Sequence, residues 1–311
     1  MGSMVSLNVI AASAGLQPLL EAASWEGQIA AVFRRSLLCT TPNGRLIHLH
    51  TGLRLTSPFS LRIEAGLANV LRATPFVQGM PVRKGGHTVV IAEAVHLRLH
   101  RATYYRPAGH PSGDVEPEAI RHAHGILELY GRVGGFDRLP GVQTIGRTMR
   151  RALADRNAAR LSETAHQLIG LGPGLTPSGD DFLVGWLRGL WLMRKSTPGV
   201  CQMLDHLRHA LLPDVGARTS RVGAEFIRYA MEGAFAEVLD RAALALLAPS
   251  RPRVMQSAVS RLLAQGETSG TDTMLGLLTC LEARASSPDH EPYHAWHDAA
   301  TRLSTSAATR G

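Results

Sequence analysis

Lysine is almost missing from this chain. Lys84 and Lys195 are the only two among 311 residues, yet the formal net charge is +8. Arginine therefore carries the positive charge, and it is scattered, with Arg34-Arg35 and Arg150-Arg151 the only adjacent pairs. A nucleic-acid footprint needs a basic run or a basic face with aromatics between the charges. Neither is present, so no nucleic-acid partner is expected. Dispersed arginine suits surface solvation, or capture of small carboxylates and phosphates by the guanidinium fork. Aromatic residues are also scarce, at 5%, and the abundant alanine and glycine favour closely packed helices. Cysteine is limited to Cys39, Cys201 and Cys280, an odd number far apart with no Cys-x-x-Cys. That excludes a disulfide framework and fits free thiols in a reducing cytoplasm. Long hydrophobic runs are lacking too. The longest, Phe182 to Met193, is interrupted by Arg188 and is too short to span a bilayer. No signal peptide is recognised and no membrane partner is expected. Met1-Gly2-Ser3-Met4 reads as a cloning remnant ahead of the natural start and is set aside.

Several chemistries are excluded by missing motifs. There is no His-Glu-x-x-His or comparable metal spacing, no Walker loop and no serine-hydrolase elbow. Gly172-x-Gly174 is not a dinucleotide fingerprint, because no strand precedes it and the third glycine is out of place. The fourteen histidines are scattered, and His87, directly after Gly85-Gly86, is the one worth testing.

What is present divides into two parts. Residues 5–106 carry mostly strand patterns. Ser6–Leu20 is apolar and small, a strand or a short helix, and Gln28–Thr40 alternates loosely. Pro42-Asn43-Gly44 is a turn between two apolar runs, followed by an alternating stretch from Arg45 to Thr51, so the pair predicts a β-hairpin. Phe59–Glu64 predicts a strand, Gly66–Ala73 a short helix, Gly79–Gly86 a turn-rich segment, and His87–Leu99 a strand pair. This part is a small barrel or a sandwich. Pro107, Gly109, Pro111, Gly113 and Pro117 mark a linker over 107–117. Residues 118–305 read as an α domain. Helical spacing runs over 117–130, 142–157, 158–168, 178–195, 200–212, 217–231, 234–248, 254–264, 271–285 and 292–304, and the tail beyond Ser304 is frayed. Most of these are amphipathic. The helices at 178–195 and 271–281 are apolar nearly all round and are expected at the buried centre. The fold class is α+β, a β-rich N-terminal domain followed by an all-α domain.

The richest chemistry lies at Gly170–Asp181. Four glycines, two prolines, two hydroxyl residues and two carboxylates fall within twelve positions and run straight into an apolar helix. Each glycine loses much backbone entropy on ordering, and a simple turn needs fewer of them. Glycines let backbone N–H groups approach a ligand, and the unpaired N–H groups of a helix start attract anions. Thr176 then Pro177 reads as N-cap and first helical position, and Ser178 with Asp181 as a second, capping-box-like cap. A plainer reading stands beside this one: Asp180 and Asp181 are first-turn acids that complement the helix dipole, worth about 0.3–1 kcal/mol each. Residues Ser269-Gly270-Thr271-Asp272, with Gly276 beyond, repeat the pattern of Ser178-Gly179-Asp180-Asp181 and Gly185. Two such corners predict two helix N-termini facing one site. Asp180, Asp181 and Asp272 are the candidate catalytic carboxylates, as acid/base groups or as ligands, Asp180 and Asp181 foremost, of Mg²⁺. Gly172, Gly174, Thr176, Ser178, Gly179, Thr219, Ser220, Ser269, Gly270 and Thr271 are the candidate substrate-binding residues. For Thr219-Ser220 the alternative is an exposed or back-bonded position within a helix.

The run from Gly170 through Gly185, together with Thr219-Ser220 and the corner Ser269–Asp272, resembles the signature of a bacterial family that includes the AllH-type subunit of oxamate carbamoyltransferase, from anaerobic allantoin degradation. The similarity covers most of the chain and is weakest before about Leu61. It implies a component of a carbamoyltransferase that works beside two other proteins on oxalurate, phosphate, carbamoyl phosphate and oxamate. A non-catalytic anion sensor or scaffold for such partners is the alternative. A stand-alone enzyme acting on another small ureide or carboxylate is a third.

Overall fold

A computed structural model describes residues 4–105, 113–248 and 251–285. The expected linker segment 107–112 and the expected helix 292–304 with its tail lie outside these residues. The chain separates into two compact units, Met1–Gly109 and His110–Gly311.

The first unit is a β-barrel. Its elements in order are β1 (Val5–Ser13), α1 (Gln17–Glu21), β2 (Ser24–Val32), β3 (Ser36–Thr40), β4 (Leu46–His50), β5 (Ser60–Ile63), α2 (Leu67–Ala73), β6 (Pro81–Gly85), β7 (Thr88–Ile91), β8 (Val95–Arg98) and β9 (Thr103–Tyr105). The strands join in the order β5-β4-β3-β2-β6-β7-β8-β1 and close through β1 against β5, with β9 added beside β1. Strand β1 makes the closure possible. Its first half pairs parallel to β8, and after a bulge between Val9 and Ala11 its second half pairs with β5 and β9. A bulge bends one strand without ending its pairing. Alternate residues, among them Leu7, Val9, Ile29, Val82, Val89, Ile91, Val95 and Leu97, are buried.

Two expectations are corrected here. Gly79–Gly86 is a strand at its centre, β6, paired to β2 on one side and β7 on the other. Pro81 sits at the first strand position, where a missing N–H is tolerated. The loosely alternating run 28–40 is a hairpin, β2 and β3, turning at Arg34-Arg35. Of the two architectures expected for this unit, the barrel is the one formed.

The second unit is helical: α3 (Pro117–Tyr130), α4 (Val142–Ala154), α5 (Ala158–Leu168), α6 (Ser178–Met193), α7 (Val200–Leu211), α8 (Val215–Arg218), α9 (Arg221–Met231), α10 (Glu237–Leu246), α11 (Pro252–Leu263) and α12 (Ser269–Ala285). As expected, α6 and α12 form its centre. Phe182, Leu183, Trp186, Leu187 and Leu190 of α6 and Met274, Leu277 and Leu278 of α12 are fully buried. Each such side chain contributes about 1.5–3 kcal/mol of burial. The expected helix 217–231 is broken into α8 and α9. Thr219 is extended (φ −136°, ψ 178°) and Ser220 is the N-cap of α9, its hydroxyl accepting from Gly223 N.

Candidate functional site

The site is built on the two corners from which α6 and α12 start. At the first, the chain leaves α5 and turns through Gly172 (φ +105°) and Gly174 (φ +100°), conformations that side chains with a Cβ rarely adopt. It then folds back, and Gly179 N donates to Leu171 O at 2.8 Å. A Cβ on Gly179 would overlap Leu168 O at the end of α5. The expected cap is shifted by one. Pro177 is the N-cap, Ser178 is the first helical residue, and no side chain caps the end. Proline fixes φ near the value the helix start needs, and its carbonyl accepts from Asp180 N at 2.9 Å and Asp181 N at 3.1 Å.

The second corner follows the same plan. Gly270 N donates to Gln265 O at 3.1 Å, and a Cβ on Gly270 would overlap Leu262 O near the end of α11. The contacts between the helices are reciprocal. A Cβ on Gly185 would overlap Thr273 O, and one on Gly276, the matching residue, would overlap Phe182 O, the match of Thr273. Two parallel helices thus meet about a local two-fold relation, with both N-termini at one end. The Thr176 and Ser269 hydroxyls hydrogen-bond at 3.1 Å across the join.

The three carboxylates differ in surroundings. Asp180 accepts from Gly170 N at 2.7 Å and from the Thr219 hydroxyl, so both oxygens are engaged. Gly223 lies against it, because a Cβ there would overlap Asp180 Oδ2. Burial raises the Asp180 pKa, and the bonds from Thr219 and Gly170 pull it back. Asp181 is 9% exposed and its Oδ2 is buried with no hydrogen-bond partner. Burial holds its pKa well above the usual carboxylate range, Asp272 and Asp180 push it further, and the hydroxyls of Ser269 and Thr176 oppose the shift without closing a bond onto Oδ2. Asp272 is 0% exposed. Its Oδ1 accepts from Phe136 N at 2.8 Å, whereas Oδ2 has no partner. Burial raises its pKa to about 6 against the opposing Phe136 amide and the Ser178 and Thr268 hydroxyls, with Asp137 adding repulsion. Ser178 faces Asp272 as its counterpart Ser269 faces Asp181.

Residues 168–281 match a family described as oxamate carbamoyltransferase subunit AllH, and residues 8–104 match the AllH family N-terminal domain. The chain belongs to the AllH family. No solved structure matches it. The AllH match spans both corners, Thr219 and Ser220.

The other expected residues in the helical unit of this AllH-family chain fall around the same join. Ser220 donates to Leu175 O and so holds the glycine loop to the start of α9. The Thr271 hydroxyl accepts from Arg132 N at 2.9 Å. His87 is exposed in the β6–β7 turn of the barrel unit. The segment 131–138, which lies between the expected helices 117–130 and 142–157, covers the second corner. Phe136 stacks on Phe182 with ring centroids 4.1 Å apart, Asp137 accepts from Gly134 N at 2.9 Å, and a Cβ on Gly135 would overlap both oxygens of Asp272. Its signal in the sequence is Gly134-Gly135 followed at once by an aromatic and an acid. Among the described residues no group of three or more His, Cys, Asp or Glu side chains is placed to hold a metal. Of the three candidate carboxylates, Asp181 and Asp272 each keep a buried oxygen without a hydrogen-bond partner, whereas both oxygens of Asp180 are engaged. Among the described residues no helix is long and apolar enough to cross a membrane.

Proposed function

We propose that this chain binds a small anionic substrate of the carbamoyl-transfer reaction, phosphate or carbamoyl phosphate and oxamate or oxalurate, at the joined N-termini of α6 and α12. It does so in the cytoplasm as one member of a multi-subunit enzyme. The family description supports the reaction class. The observation that carries the site is the Thr176–Ser269 contact, which unites the two corners over two buried carboxyls. Carbamoyl transfer needs a place for two small anions, donors for the developing oxyanion and a path for a proton. Two parallel helix starts bring two positive dipole ends together.

Roles within the site follow from the partners. The amides of Gly179, Asp180 and Asp181 already bond to Leu171 O and Pro177 O. The donors for substrate are therefore the loop amides at Gly172 and Gly174 and the hydroxyls of Thr176, Ser178 and Ser269. Asp180, Thr219 and Ser220 hold the loop in place, Gly179 and Gly270 set its spacing, and Thr271 anchors the covering segment through Arg132. Asp181 and Asp272 supply the carboxyl chemistry.

Thermal melting of the chain, alone and with its partner subunits, with phosphate, carbamoyl phosphate or oxamate tests this reading. A ligand that binds only the folded state raises the midpoint with concentration. Replacing Thr176 and Ser269 by valine should abolish the rise while leaving the fold intact. If no anion shifts the melting in either form but the partner subunits do, the chain is a scaffold and the anion site is refuted.

A further inference from the structure

Asp181 and Asp272 are the two carboxyls in this join whose Oδ2 atoms are buried without a hydrogen-bond partner among the described residues. They sit at matching positions of matching helices, and each faces the serine hydroxyl of the opposite corner. The charged groups acting on them are themselves acidic, Asp180 from α6 and Asp137 from the covering segment. Many cations on the packed elements pair elsewhere, among them Arg132 of the covering segment, which donates to Gly266 O at 2.7 Å. Arg188 pairs with Asp240 of α10 at 2.8 Å, Arg241 with Glu237 at 2.8 Å, and Arg228 of α9 lies 3.5 Å from Glu225. His124 of α3 bonds Glu282, His166 of α5 lies 3.6 Å from Asp214, and Arg138 lies 3.4 Å from Asp137. Arg261 of α11 reaches Ser257, and Arg147 and Arg150 of α4 are also engaged. Two negative charges cannot share so dry a place without a positive partner. A proton is the smallest such partner.

We propose that Asp181 and Asp272 hold one proton between them and act as a single acid–base unit, connected to the substrate loop through the hydroxyls of Ser269 and Thr176. The proposal rests on the anion site argued above. When hydrogen phosphate attacks oxalurate, a bond forms between a phosphate oxygen and the carbamoyl carbon, and the bond from that carbon to the oxamate nitrogen breaks. The electron pair of the broken bond stays on nitrogen, which takes the proton held by the pair. The phosphate proton returns along the hydroxyls to the ionised pair. The products are carbamoyl phosphate and oxamate, and the pair ends with one proton, as it began.

The test uses the chain assembled with its partner subunits. The pH dependence of kcat/KM is measured for wild type, Asp181→Asn, Asp272→Asn and Ser269→Ala, and the melting midpoint of each chain is followed over the same pH range. The expected loss of kcat is about 100-fold for either asparagine variant. The alkaline decline in wild-type activity and melting should flatten in both. Ser269→Ala leaves the carboxyl pair in place but removes both a donor to the anion and a link of the hydroxyl path, so it should lower kcat and raise KM together. Should an asparagine variant fail to fold, Ser269→Ala and the wild-type melting curve still decide. An alkaline decline that persists unchanged in the asparagine variants overturns the shared proton. So does a melting rise with MgCl₂ in wild type that is lost in the asparagine variants, because the positive partner is then a metal ion. Anion-induced stabilisation that survives in the asparagine variants while the pH limb does not move refutes this inference alone. Absence of any anion effect refutes the site beneath it.

Discussion

Asp180 and Asp181 are adjacent in sequence but lie about 100° apart around α6, and that rotation separates their tasks. Asp180 turns to Gly170 and Thr219 and ties the start of the helix to the loop and to the α8–α9 junction. Asp181 turns to the second corner. The acid pair, the hydroxyls and the second corner were legible in the sequence, because residue type and spacing show them. Which acid takes which partner was not, since Gly170 N, Thr219 and Gly223 converge on Asp180 only after α5, α6 and α9 have packed. Asp180→Asn keeps one acceptor and loses the other, leaving the Thr219 hydroxyl or Gly170 N poorly matched. Such a change costs about 1–3 kcal/mol. A lower melting midpoint, with the alkaline limb of kcat moved to lower pH because the charge that pushes Asp181 up is gone, is the expected result, and a limb that vanishes would return Asp180 to the chemistry.

At the scale of elements, α6 and α12 were readable from their all-round apolar sequences, and the hairpin at Pro42-Asn43-Gly44 from its turn. The misreadings share a physical cause. In β6, Pro81 and Gly85 bracket only three other residues, so turn-forming ends outweighed a short period. At Thr219-Ser220 the helical spacing of apolar residues continues across the break, and the break is fixed by hydrogen bonds to Asp180 and Leu175 that the local sequence does not show. What pattern alone also misses is how closely the central helices approach. Gly185 and Gly276 each lie against a carbonyl of the opposite helix. Backbone cannot yield as a side-chain tip can, so alanine at either position should cost upwards of about 1–3 kcal/mol. Alanine at Gly125, where a Cβ meets nothing within 4 Å, should gain a few tenths to about 1 kcal/mol from helix propensity. Urea unfolding of the three variants checks this, and a tolerated Gly185→Ala would refute the close approach.

The whole molecule carries buried ionisable groups of opposite sense in its two units. In the barrel, His48 and His50 of β4 stack with centroids 4.9 Å apart. Burial lowers His48 to about 3, with His50 adding repulsion, and lowers His50 to about 4, with Arg62 adding repulsion. Gly52 N donates to Nδ1 of His50, which leaves the hydrogen on Nε2, a buried donor without a partner. A folded-state pKa below the unfolded value of 6.5 means that stability is complete above 6.5 and declines as pH falls toward 4 and 3. In the helical unit, burial raises Asp272 and Asp240 to about 6, against the pull of Arg188 in the case of Asp240. A folded-state pKa above the unfolded value of 3.8 means that their contribution is complete below 3.8 and is lost as pH rises through 6, on the order of 1–3 kcal/mol each. From pH 7 to pH 5 the barrel should therefore weaken while the helical unit strengthens. Hydrogen exchange of the intact chain, read by mass spectrometry and corrected for the intrinsic rate at each pH, resolves peptides from 4–105 and from 113–285 separately. Protection should fall in the first set and rise in the second. Protection that changes in the same direction in both would mean that the units open as one cooperative body, and that their division by contacts is not a division in stability.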